Sequence, residues 1–160
     1  MGKHRLSVLL AGALVALVSG VAWSQSNEVI DSLLAEERAT LAKTAYLVLT
    51  ASGAVDEAQS VDQAFAALQA EPWGFAKAVP DSTVTFGSCA YMIMRAFGMH
   101  GGVMYTIFPG KRYAARELAF LQVLPGDTSA GRHLSGREVT HILGKVLETL
   151  GKRQEGEVQQ

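Results

Sequence analysis

Two stretches of this chain can be laid on one another: Thr40-Leu-Ala-Lys-Thr-Ala-Tyr-Leu-Val-Leu-Thr-Ala-Ser-Gly53 and Thr85-Phe-Gly-Ser-Cys-Ala-Tyr-Met-Ile-Met-Arg-Ala-Phe-Gly98. Threonine, alanine, tyrosine, alanine and glycine coincide, and Leu/Met, Val/Ile and Leu/Met pairs fill the middle. Val139 to Gly151 repeats the apolar rhythm and the final glycine more weakly. Each copy opens a unit of roughly 45–50 residues, a long helix followed by a loop and, in the first two, a shorter helix. A unit of that size cannot bury its apolar face alone, so the units must stack.

The apolar spacing supplies the elements. From Asn27 to about Ser52, Ile30, Leu33, Leu34, Leu41, Ala45, Val48 and Leu49 recur every three or four residues, the signature of one amphipathic helix or two joined end to end. Gly53 stands at a helix-stop position. Ser60-Val-Asp-Gln63 reads as a capping box for a short helix presenting Val61, Phe65 and Leu68. Helices are expected from Thr85 to Phe97 and from Lys111 to about Val123, with the glycine loop Gly98-Met-His-Gly-Gly102 after the first. Val103 to Phe108 alternates and reads as a short extended piece. Ser135-Gly-Arg-Glu138 opens the last helix, whose stripe is Val139, Ile142, Leu143, Val146, Leu147 and Leu150, with Gly151 as its end. About five helices and little strand predict an all-α domain of stacked helix–loop–helix units over residues 25–151, followed by a polar flexible tail at 152–160.

Residues 1–24 read differently. Lys3, His4 and Arg5 precede an uncharged apolar run from Leu6 to Trp23, which closes on Ala22-Trp23-Ser24 with small residues at −3 and −1 of a cut before Gln25. This predicts a signal peptide and export to the periplasm or cell surface; an uncut leader would act as a membrane anchor. The leader holds two of the 14 basic residues and none of the 15 acidic ones, so the mature chain has 12 basic against 15 acidic side chains. Such a balance excludes a general nucleic-acid binder. Cys89 is the only cysteine, so no intramolecular disulfide supports the domain and packing must.

The repeated helix–loop–helix layout over roughly residues 36–151 resembles the S-layer homology repeat. In Leu134-Ser-Gly-Arg137-Glu138 a hydroxyl is followed by a basic and an acidic residue, as at the start of that family's repeat; the first two copies offer Ala42-Lys43-Thr44 and Gly87-Ser88-Cys89 instead. The resemblance implies units usually found in threes that bind cell-wall polymers. Phe108-Pro-Gly-Lys-Arg-Tyr-Ala-Ala-Arg-Glu-Leu118 with Leu134-Ser-Gly136 is also similar to exported proteins of spirochaetes that carry no assigned function.

Among residues suited to chemistry, Arg112, Arg116, Arg132 and Arg137 flank two helix starts and form the expected site for an anionic group, with helix-start amides adding partial positive charge. His100, His133 and His141 are too scattered for a zinc site. Ser88 lacks the Gly-x-Ser-x-Gly context of a hydrolase nucleophile, and the adjacent Glu36 and Glu37 diverge on a helix rather than converge as an acid/base pair. Gly98, Gly101 and Gly102 lack dinucleotide-site spacing. The expectation is therefore a non-enzymatic, cofactor-free binding or scaffolding module of the cell envelope, contacting a wall polymer or an envelope protein. The alternative is a small carrier of apolar ligands or lipids, with a pocket lined by Met94, Phe97, Met104, Tyr105 and Phe108.

Overall fold

The computed structural model describes residues 27–158; the expected leader and its cleavage site lie outside the described residues. The described chain is all-α. Helix α1 covers residues 27–34 and is followed by α2 (Leu41–Ala51), α3 (Val61–Ala70), α4 (Phe86–Ala96), α5 (Val103–Ile107), α6 (Lys111–Phe120) and α7 (Gly136–Val158). Among the described residues, β-structure is confined to isolated bridges, Thr40 with Thr83 and Thr85 with His133.

Three helices begin at one point in the middle of the molecule. Ala39, Val84 and Leu134 immediately precede the first residues of α2, α4 and α7 by two positions each, and all three are buried. Their backbones close a ring. The Ala39 amide donates to the Leu134 carbonyl (2.8 Å), Leu134 to Val84 (3.1 Å), and Val84 to Ala39 (2.8 Å). One layer out, the first helical amides donate to the neighbouring loop: Leu41 to Ser82 (2.8 Å), Phe86 to Arg132 (2.7 Å) and Gly136 to Glu36 (3.0 Å). Ala42 and Gly87 add bonds to Pro80 (3.0 Å) and Ala130 (2.9 Å). The first turn of a helix leaves amides without intrahelical partners. Here each helix start satisfies them on the loop that precedes another helix.

This arrangement explains the departures from the expected elements. Thr40, Thr85 and Ser135 each stand one residue after a member of the ring, but the last helix does not end at its glycine as α2 and α4 do. Gly53 (φ 74°) and Gly98 (φ 59°) are left-handed residues that end α2 and α4. Gly151 is helical, and α7 continues to Val158, carried across that position by Glu148 pairing with Lys145 (3.1 Å) and Lys152 (2.7 Å). The break between α1 and α2 has no proline or glycine. It arises because the ring captures the Ala39 amide and the Glu36 carboxylate receives the Thr40 amide (2.7 Å). Val103 to Ile107 is helical rather than extended, a single short helix packed on α6.

One core joins these parts. Helix α2 packs on α3 and α4, α4 on α6, and α7 on α2. Phe86, Met92, Ile93 and Leu118 are fully buried, and Tyr46 is buried with its hydroxyl donating to the Glu57 carbonyl (3.0 Å). Two glycines are set by close approach. A β-carbon at Gly136 would overlap the Leu33 carbonyl, and one at Gly87 would stand 2.9 Å from the Ala130 oxygen.

Candidate functional site

A cleft of about 480 Å³ opens where the loop between α1 and α2 meets the start of α7. Leu34, Ala35, Glu36, Glu37, Ser135 and Arg137 line it. Glu36 is committed internally: besides the Thr40 amide, its carboxylate holds the Lys43 ammonium (2.7 Å). Glu37 and Arg137 are exposed and make no ion pair among the described residues. A carboxylate and a guanidinium therefore line one open cleft beside the Ser135 hydroxyl. Such a set accepts hydrogen bonds from hydroxyl groups and donates to carboxylate or phosphate groups.

The start of α7 itself is closed to an incoming anion. Ser135 and Glu138 form the expected capping box, with the Ser135 amide donating to the Glu138 carboxylate (2.9 Å) and the Glu138 amide donating to the Ser135 hydroxyl (3.3 Å). Arg132 pairs with the other carboxylate oxygen of Glu138. Partial burial opposes the charge on Glu138, but hydrogen bonds from Ser135 and Arg132 outweigh it and hold the group below the ordinary glutamate range. The Gly136 amide is taken by Glu36. Glu138 thus fills the position that an external anion was expected to take.

The four expected arginines are accordingly divided. Arg137 lines the cleft, and Arg132 is neutralised by Glu138. Arg112 and Arg116 stand one turn apart, exposed, on α6, and do not line the cleft. Sequence reasoning passed over Glu37 as a site residue because adjacent glutamates on a continuous helix diverge. The break before α2 is what directs it to the cleft, and that break depends on contacts from residues 134–136.

A second cleft of about 290 Å³ holds the matching place at the start of α2, where residues 82–84 meet Leu41. Lys77, Ser88 and Lys111 line it, and the Lys111 ammonium lies 4.7 Å from the Phe75 ring centre. Ser88 sits in the first turn of α4, where its hydroxyl accepts a hydrogen bond from the Thr85 hydroxyl (3.1 Å). A third cleft, about 300 Å³, gathers Trp73, Met94, Arg95, Met99, His100 and Tyr105. Arg95 lies 6.0 Å from the ring centres of both Trp73 and Tyr91. Of the five residues expected to enclose an apolar pocket, Met94 and Tyr105 are buried and line this open cleft, Phe97 is half-buried, and Met104 and Phe108 face solvent. The Tyr105 hydroxyl is buried without a partner, and desolvation pushes its pKa up.

The remaining reactive groups are dispersed. His133 shares a hydrogen bond with the Thr83 hydroxyl (2.9 Å), while His100 and His141 are exposed on separate elements. Among the described residues no three His, Cys, Asp or Glu side chains gather as metal ligands. Burial pushes the Cys89 thiol up to about 12, which leaves it protonated and unreactive near neutral pH.

The fold and its clefts define an all-α body with open, charged clefts beside helix starts. No protein-family model matches the chain, and neither a curated protein nor a solved structure matches it.

Proposed function

We propose that this protein is an exported, non-enzymatic binding module of the cell envelope, built from three stacked helical units and holding an anionic or hydroxyl-rich wall polymer in the cleft between its first and last units. The observation that carries the reading is the meeting of Arg137, Glu37 and Ser135 in one open cleft at that junction. An extended polymer needs an open site with donors and acceptors already displayed, and this cleft has both. The three-unit reading is supported by the closed backbone ring through Ala39, Val84 and Leu134. An envelope protein docking on the same cleft is the competing partner within this reading.

Pull-down with purified cell-wall sacculi tests it. Wild-type chain should sediment with sacculi, salt should weaken the association, and Arg137→Ala should lose most of it. Arg112→Ala/Arg116→Ala should retain it, because those side chains lie outside the cleft. Failure of folded wild type to sediment, or equal binding by Arg137→Ala, would overturn the assignment.

A further inference from the structure

Exposed large apolar side chains are concentrated at one place on this molecule. Val103 (74% exposed), Met104 (55%), Ile107 (59%) and Phe108 (62%) all belong to α5 and the residue that ends it. Among the described residues, the other large apolar side chains so exposed, Val79, Phe120 and Leu147, are separated along the chain. Tyr105 is the buried member of α5, so this turn is seated on one residue and projects the rest. Val103 and Ile107 stand one turn apart, as do Met104 and Phe108, so the exposed side chains share one side of the turn. Contiguous apolar surface of this kind marks an interaction site.

The charges nearest to it in sequence are mostly of one sign. From Ser82 to Arg116 the chain contains no aspartate or glutamate, and it carries Arg95, Lys111, Arg112 and Arg116. Arg112 and Arg116 continue along α6 to the highly exposed Phe120, each one turn from the next. Helix α6 packs directly against α5. Glu117, half-buried beside Gly102, is the carboxylate that meets α5. An exposed apolar turn with guanidinium and ammonium groups on the helix packed against it fits the boundary between lipid phosphates and acyl chains.

We propose that α5 is a membrane-docking wedge for an anionic bilayer surface, with Val103, Met104, Ile107 and Phe108 entering the acyl boundary and Arg112 and Arg116 contacting lipid phosphates. This site is distinct from the polymer cleft and does not depend on it. It attaches the folded body to a membrane surface independently of the leader.

An environment-sensitive dye on Ile107→Cys of the full chain tests the proposal; the buried Cys89 thiol does not compete for the label. Phosphatidylglycerol vesicles should shift the dye emission to the blue, and phosphatidylcholine vesicles should have a much smaller effect. A dye on Asp62→Cys, exposed on α3, should stay unchanged with either and controls for attachment through the leader. Each basic residue near an anionic surface strengthens partitioning roughly fivefold, so Arg112→Ala/Arg116→Ala should weaken it about 25-fold. Because both arginines are exposed, that variant should keep its helical circular dichroism. An unchanged 107 dye with phosphatidylglycerol overturns the proposal. So does a shift that ignores salt and both arginine substitutions. A shift that arises without vesicles and grows with protein concentration would instead assign the face to a second copy of the chain.

Discussion

The helix-start ring and α5 are opposite solutions to the same problem of polar and apolar exposure. At the ring, the amides of Ala39, Val84 and Leu134 and the first amides of α2, α4 and α7 all find carbonyl partners, and the side chains at its centre are buried. At α5, the apolar side chains are exposed and the buried Tyr105 hydroxyl has no partner. The contrast separates what holds the molecule together from what is available to bind. A residue at the ring is constrained by three parts of the chain at once. An exposed residue on α5 is constrained by little beyond its own turn.

Substitutions on either side test that contrast. Phe86→Ala, at a fully buried first position of α4, should cost about 4 kcal/mol in urea-induced unfolding. Gly136→Ala should cost about 3 kcal/mol, because the added carbon meets backbone that cannot swing aside. Ser135→Ala removes the hydroxyl that accepts from the Glu138 amide and donates to its carboxylate, and should cost about 1 kcal/mol by the same measurement. Glu138 gives a pH signature. Its pKa lies below the ordinary value, so its contribution is complete above roughly pH 5 and disappears as pH falls through the folded-state value. The stability gap between wild type and Glu138→Gln should hold constant from neutral pH down to that point and then narrow. At the other extreme, Ile107→Ser should change unfolding stability by less than about 0.5 kcal/mol. A large loss there would mean that α5 belongs to the structural half of the comparison.

What the sequence made legible follows the range of the interactions. Local signals read correctly: both capping boxes form, with Gln63 returning a bond to the Ser60 amide (2.8 Å), and Gly53 and Gly98 end their helices. Residues 40–53 and 85–98 each hold one helix, α2 and α4, with Thr40 and Thr85 just before their first turns. Interactions between distant segments left no periodic trace. The division of α1 from α2 depends on Leu134, and the register of the last helix follows Ser135 instead of its glycine. Helix α5 is too short for its apolar spacing to tell helix from strand. The basic residues were visible, but their separation was not. Arg132 is removed from the site by an ion pair six residues along its own chain, while Glu37 enters the site only through tertiary contact.

The ring also sets the order in which the chain can fold. Its three members are spread from residue 39 to residue 134, so the last is made about 95 residues after the first. Until Leu134 is present, the Ala39 amide has no acceptor and the Val84 carbonyl has no donor. A partial chain can form isolated helices but cannot close the centre that orients them. Closure therefore waits on loops of high sequence separation, which slows folding relative to a bundle of local hairpins. Ribosome-stalled or truncated chains ending before Leu134 should remain open to protease throughout, whereas completing that one late segment should protect residues made long before it.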